Sequence, residues 1–211
     1  QNRVDIVFEI AEGPKSKIES IKFLGNRYFS DSRLKREIIT SESKWWKILT
    51  SGGKYDPDLL NFDKENLKRF YADQGFVDAD IAMAIGEISE KKDKFYITFV
   101  VNEGDRYKFG NVTVDVEIKN YNKSDILKSI NIKKDKWYNA TKVDDNITEL
   151  TEKIIDSGEP FINIFPELNR RDGNTIDVNF RLVPGKKKYI NNIIISGNTR
   201  TLDKVIRRTI R

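Results

Sequence analysis

The sequence contains no cysteine and no histidine. Without cysteine there is no disulfide framework and no thiolate metal site, and the redox compartment leaves no trace in the residues. Without histidine the commonest acid/base catalyst and the commonest metal ligand are both missing. Methionine occurs once and proline 5 times. No window approaches the ~18 consecutive apolar residues that a membrane-spanning helix needs. Gln1 stands directly in an alternating strand pattern and Arg211 falls inside a helical one, which predicts a piece of something longer.

Hydrophobic residues make up 38% of the 211 and aromatics 11%, enough to build packed cores. Domains most often run ~100–150 residues, so the length suits one large domain or two ordinary ones. The formal charge of +5 arises from 38 basic and 33 acidic residues spread along the whole chain. Such mixing describes a solvated surface better than a nucleic-acid-binding stripe.

An internal repeat decides for two domains. A sheet-ending phrase occurs as Ile10-Ala11-Glu12-Gly13, as Val101-Asn102-Glu103-Gly104 and, degraded, as Leu182-Val183-Pro184-Gly185. Five residues after each glycine an apolar residue opens the next strand: Ile18, Phe109 and Ile190. Gly25-Asn26 and Gly197-Asn198 close that strand in the first and last copies. Tyr55 to Gly75 matches Tyr138 to Gly158 in spacing, each pair bracketing a helical pattern. Gly110-Asn111 precedes its strand and is read as a coincidental match, with the true turn near Lys119-Asn120.

Within a unit the patterns run strand, helix, helix, strand, strand. Ile18, Ile21 and Phe23 form the first strand, matched by Val112, Val114 and Val116 and by Ile190, Ile193 and Ile195. Ser30, Ser124 and Thr201 are expected N-caps. Leu60, Leu67, Phe70 and Tyr71, and more regularly Val143, Ile147, Leu150 and Ile154, give the second helix one apolar face. Gly75 and Gly158 fit left-handed C-caps. The closing strands alternate through Phe95, Ile97, Phe99 and Val101 and through Ile176, Val178, Phe180 and Leu182, and Val4, Ile6, Phe8 and Ile10 repeat the pattern. The expected division is therefore 1–14, the last strand of a preceding unit; 15–105 and 106–186, complete units; and 187–211, the start of another.

Candidates for chemistry are few. Ser51-Gly52-Gly53-Lys54 lacks the spacing of a phosphate-binding loop and reads as a turn. Asp78 and Asp80 alternate on one strand face with no third ligand or nucleophile in sight, and read as edge charges. Lys186, Lys187 and Lys188 read as a solvated linker, while Arg207, Arg208 and Arg211 lie on a partial helix. Trp45 and Trp46 lie in the loop 41–54, where an exposed ring would anchor a partner. The plainer alternative, that one ring covers the core beneath it, weighs more, and Trp137 is expected in the core.

Several phrases sharpen a family likeness: Ile18-Glu19-Ser20-Ile21-Lys22-Phe23-Leu24-Gly25-Asn26, Trp45-Trp46, Tyr71-Ala72-Asp73-Gln74-Gly75-Phe76, Trp137-Tyr138-Asn139-Ala140 and Ile195-Ser196-Gly197-Asn198-Thr199-Arg200-Thr201. Together with the repeat they resemble the polypeptide-transport-associated (POTRA) domains of outer-membrane protein assembly factors, and the likeness runs end to end. It implies an α+β fold of tandem β-α-α-β-β domains, each a three-stranded mixed sheet covered by two antiparallel helices. It also implies that the complete units are third-like and fourth-like, between the end of a second domain and the start of a fifth, the Trp45-Trp46 loop marking the third. Related two-partner secretion transporters carry only two such domains.

In that family the closing strand lies in the middle of the sheet, which leaves the second strand of each unit on an edge. The implied docking strands run over 77–85 and 161–168. They include Val77, Asp78, Ala79, Asp80, Ile81, Ala82 and Met83 in the first, and Phe161, Ile162, Asn163, Ile164 and Phe165 in the second. Asp78 and Asp80 would charge the first edge, whereas Ile162 and Ile164 leave the second more apolar until Pro166 removes a donor. The implied role is a non-enzymatic periplasmic scaffold without cofactor. It would pair unfolded outer-membrane β-barrel proteins with its edges, dock accessory lipoproteins and precede a C-terminal membrane β-barrel, and would take no nucleic acid. Two readings compete: a tandem basic αβ module binding RNA, which needs aromatics on the sheet face, and an enzyme, for which no nucleophile or base constellation exists.

Overall fold

The computed structural model describes residues 17–43, 55–118, 121–186, 193–197 and 202–209. The strand expected over 1–14 lies outside them, as do Trp45, Trp46, the Ser51–Lys54 turn, Lys119-Asn120, Lys187, Lys188, Ile190, Asn198, Thr201 and Arg211.

β-Branched and aromatic alternation gives β1 (Lys17–Leu24), followed by α1 (Asp31–Leu34), α2 (Pro57–Asp73), β2 (Asp80–Ile88) and β3 (Lys94–Asn102). The order then repeats as β4 (Lys108–Val116), α3 (Lys123–Ser129), α4 (Ala140–Asp156), β5 (Ile162–Arg171) and β6 (Thr175–Pro184), before α5 (Asp203–Thr209). The three-stranded sheets are ordered β1-β3-β2 and β4-β6-β5. In each, the first strand pairs in parallel with the central one, which the second strand meets antiparallel. A parallel pair cannot be joined by a tight turn, and the two helices supply the crossover.

One face of each sheet is buried under the helices. In the first unit Ile97, Phe99 and Val101 pack with Leu60, Leu67, Phe70 and Tyr71. In the second, Ile176, Val178, Phe180 and Leu182 meet Val143, Leu150 and Ile154, with Ile147 half-buried beside them. Ser30 caps α1 as expected, accepting from the Arg33 N–H. The cap of α3 is Asn122 rather than Ser124, because the Asn122 side chain accepts from the Ser124 N–H at 2.9 Å and starts the helix earlier. Gly110-Asn111 lies inside β4, where the pairing shifts between Phe109 and Val112, so it forms an irregularity of the ladder and not a turn.

The repeat marks have a physical cause. Gly25 has φ +89°, and a Cβ there would sit 2.1 Å from the Val101 carbonyl oxygen. The buried Glu103 carboxylate then holds the turn, accepting from the N–H groups of Arg27 at 2.8 Å and Tyr28 at 3.1 Å and from the Tyr71 hydroxyl at 2.9 Å. In the second unit Pro184 stands in place of that glutamate, and the turn glycine is missing too.

A further shared device was not read from the sequence. Asp63, fully buried in α2, accepts from the N–H groups of Ile39 at 2.6 Å and Thr40 at 3.1 Å. Asn146 takes the equivalent place in α4 and accepts from the Asn131 N–H at 2.7 Å. Each pins the chain leaving the short helix. Asp63→Ala leaves two N–H groups without their acceptor and is expected to cost ~1–3 kcal/mol, with Asp63→Asn recovering much of it. Urea denaturation followed on first-unit signals measures both.

Candidate partner-binding edges and the junction between the units

Among the described residues β2 and β5 lie at the ends of their sheets, each hydrogen-bonded to the central strand alone. Which backbone groups face outward follows from ladder phase. The Ser89 N–H donates to the Lys94 carbonyl, and bonded pairs in an antiparallel ladder recur every second residue. Met83, Ile85 and Glu87 therefore bond to β3, while the N–H and C=O groups of Ala84, Gly86 and Ile88 turn to the free edge. A pairing shift between Ile81 and Met83 displaces Ala82 from the register.

The expected edge residues are placed as follows. Asp80, Ile81, Ala82 and Met83 are in β2, but Val77, Asp78 and Ala79 precede it. The reason is the turn that ends α2: Gly75 adopts φ +98°, the Phe76 N–H donates back to Tyr71 O at 2.9 Å, and Ala79 N–H closes a further turn on Phe76 O. Extended pairing starts only after these bonds. Val77 packs instead on the second unit's core.

In β5 the Gly185 N–H donates to Phe161 O, so Ile162, Ile164, Pro166 and Leu168 turn their backbones outward. Pro166 thus costs no ladder bond and interrupts the row of edge donors. Phe161 immediately precedes the strand. Ile162 and Ile164 do not make the free edge apolar: both pack against the core, and Phe165 is the strand's exposed hydrophobic side chain at 47%.

The junction between the units is held by side-chain and backbone hydrogen bonds together. Asp73, in the last turn of α2, accepts from the Thr141 N–H at 2.7 Å and the Thr141 hydroxyl at 2.9 Å. Asn139 donates from Nδ2 to the Asp73 carbonyl at 3.0 Å while its Oδ1 caps the Lys142 N–H at 2.7 Å. An aspartate at its own helix C-terminus is electrostatically misplaced, but here its charge meets the N-terminus of α4, where it is favoured. The carbonyls at the end of α2 also reach across: Gln74 O accepts from Arg106 Nε at 2.7 Å and Gly75 O from the Tyr107 N–H at 2.8 Å.

Trp137 belongs to this junction and not to the core. It is 46% exposed, with the Arg106 guanidinium 3.9 Å from its ring centroid and the Phe76 ring 5.6 Å from the same cation. A cation between two rings from different units is worth roughly 0.5–2 kcal/mol. Tyr107 Oη donates to Asp78 at 3.0 Å, and Asp78 pairs with Arg170 of β5. So Asp78 and Asp80 are not a pair: Asp80 bonds to Lys68 at 3.1 Å. Among the described residues no cluster of acidic side chains could hold a metal ion. Arg69 and Asp144 meet at 2.9 Å, but both are exposed, and such pairs contribute only ~0–1 kcal/mol.

The hydrogen bond from Arg170, assisted by that from Tyr107, holds the Asp78 carboxyl below its ordinary range against the opposing effect of burial. A depressed folded pKa stabilises above the unfolded pKa, ~3.9, and the contribution is lost as pH falls through the lower folded value. The Asp78 to Arg170 contact is therefore expected to persist at pH 4 and to open only in stronger acid. Carbon chemical shifts of the Asp78 carboxyl against pH measure this, and Asp78→Asn should remove the acid transition. Asp73→Ala is expected to cost ~1 kcal/mol, as loss of an N-cap does, and to speed amide exchange at Thr141. Hydrogen exchange across 139–143 reads it.

Residues 16–104 and 107–185 each match the model of the POTRA family, surface antigen variable number repeat. The outer membrane protein assembly factor BamA of Neisseria meningitidis serogroup B is 31% identical over 212 residues, covering 100% of this chain and 27% of the relative. BamA of Neorickettsia risticii is 33% identical over 208 residues, covering 99% and 28%. The chain thus spans about a quarter of the length of these curated relatives. The crystal structure of Haemophilus influenzae BamA POTRA3-5 has a TM-score of 0.74 at 19% identity, covering 94% of this chain and 79% of that one, a likeness of fold. With both sheet-and-helix units matched in sequence and the same fold recurring in a solved relative, the chain belongs to the POTRA family.

Proposed function

We propose that these units are a non-enzymatic scaffold in the periplasm, part of an outer-membrane protein that assembles β-barrels. The observation that carries this reading is the pair of strand edges, β2 and β5, that no other strand among the described residues covers, on two linked units. An edge offers backbone N–H and C=O groups to any extended peptide regardless of its side chains. That suits a receptor for many unfolded outer-membrane proteins. The resemblance in sequence to BamA supports the setting, and the much greater length of those relatives accommodates a C-terminal membrane β-barrel. The likeness to a POTRA3-5 fragment supports third-like and fourth-like positions for the units over 15–105 and 106–186, with a fifth-like one beginning at 187. Accessory lipoproteins are the natural occupants of surfaces the client strand leaves free, the Trp45-Trp46 loop among the candidates.

Magnitudes favour transient contact. Four backbone hydrogen bonds at ~1 kcal/mol net each are nearly cancelled by ordering four residues at ~1–2 kcal/mol each. A single edge therefore binds weakly, and several on one arm add affinity through effective concentration. RNA binding finds less support, because Asp115, Glu167 and Asp177 put negative charge on the open face of the second sheet, where a nucleic acid would need positive charge.

Of the two edges, β2 is the better dock, since Pro166 interrupts the donors of β5. Titration with an extended peptide from an outer-membrane β-barrel strand is expected to shift amide signals across residues 80–88. Ala84→Pro, which removes an outward donor and leaves the β3 ladder intact, should abolish those shifts. No response at millimolar peptide would overturn edge docking and leave these units as spacers or lipoprotein docks.

A further inference from the structure

The two sheets differ on the face that no helix covers. In the second sheet this face is filled by polar contacts: Arg181 meets Glu167 at 3.2 Å, and Asn179 bonds to Asp115 at 2.9 Å and accepts from Thr113 at 2.9 Å. In the first sheet the equivalent face carries a continuous apolar row beside Lys22 and Glu87. The registers Leu24 with Val100 and Met83 with Val100 put three apolar side chains in one row across all three strands. The next two rows are mixed: Ile85 with Thr98 and Lys22, and Tyr96 with Glu87 and Ser20. Leu24 is 55% exposed, Met83 50%, Tyr96 39% and Ile85 37%.

The other flank of the same edge has a different character. There the side chains of Ala84 and Gly86 are small or absent, and the Tyr55 ring fills the space over Gly86, where a Cβ would lie 2.3 Å from it. Toward the start of β2, Lys68 of α2 is bonded to Asp80 at 3.1 Å and to Glu65 at 3.8 Å. An incoming strand thus meets an apolar surface on one side and a tyrosine edge followed by paired charges on the other. Side chains of a strand alternate between these two sides.

We propose that β2 admits an amphipathic strand in one phase only, its apolar side chains beside Met83 and Ile85 and its polar side chains toward α2. This rests on the reading of β2 as a docking edge and adds to it a rule of register. Backbone pairing alone is indifferent to a slip of one residue, but such a slip exchanges the two faces of the guest. The occupant this surface fits is an extended segment of alternating polarity. On the second sheet the exposed Phe165 stands opposite Arg181, beside the bonded Glu167 and Asn179, so β5 offers one apolar side chain on a charged flank and selects less.

The probe is a peptide of alternating valine and threonine, about ten residues long, the length of a membrane-spanning barrel strand. With a nitroxide on a central threonine position, the Glu65 and Lys68 amides are expected to broaden more than the Met83 and Ile85 methyl groups. Replacing Met83→Thr and Ile85→Thr together, which keeps strand-forming residues on an exposed face, should weaken the peptide about tenfold, as loss of two cross-strand apolar contacts does. A control peptide alternating threonine and serine should be unaffected. Broadening equal on both sides or reversed, or the same weakening for both peptides, overturns the phase rule while β2 amide shifts still report edge docking. Methyl shifts on Leu24 and Val100 without β2 amide shifts would mean a guest lying on the face, and absence of all shifts would mean no docking at β2. Either of those outcomes overturns the edge reading and the phase rule together.

Discussion

The last turn of α2 is the constraint on which both units depend. It ends in the left-handed Gly75, which frees the Gln74 and Gly75 carbonyls to receive Arg106 and Tyr107, and it places Asp73 against the first turn of α4. One helix terminus therefore closes its own unit, starts the helix of the next and fixes the segment that connects them. The same turn delays the start of β2, so the free edge begins at Asp80 while Asp78 is committed to Arg170 of the neighbouring unit. Edge and junction are set by one piece of local geometry.

Much of this was legible in the sequence because repeat marks and chain geometry coincide. Gly25, Gly75 and Gly158 all have positive φ, and the alternation of Phe95, Ile97, Phe99 and Val101 identified a strand that sits at the sheet centre. What escaped was set by groups far apart in the chain. Asp73 looks like an ordinary charged residue at the end of a helix until α4 is packed against it. Trp137 reads as core by type, and only the position of Arg106 explains an exposed ring. Asp63 and Asn146 occupy equivalent buried positions in α2 and α4, yet their acceptor role depends on where the preceding loops return. The bonds after Gly75 compete with extension and delay the start of β2 to Asp80, which residue type alone does not reveal.

The repeats share a frame and differ where partners would meet them. Glu103 and the Gly25 turn are retained together in the first unit and replaced together in the second, as expected of residues that act as one device. Open faces diverge similarly: one carries the row Leu24, Val100 and Met83, and the other is laced with ion pairs. β5 is blunted by Pro166, in keeping with the need of natural sheets to protect their edges. β2 has a displaced residue at Ala82 but keeps outward donors at Ala84, Gly86 and Ile88.

The bonds at the α2 terminus hold the two units in one orientation. Residual dipolar couplings of backbone amides, fitted separately for residues 17–104 and 107–185, test it most directly. A fixed junction gives the same alignment tensor, in magnitude and direction, for both sets. Tensors of clearly different magnitude would show the units reorienting independently, and would contradict the assignment of Asp73, Arg106 and Tyr107 as the bonds that join them.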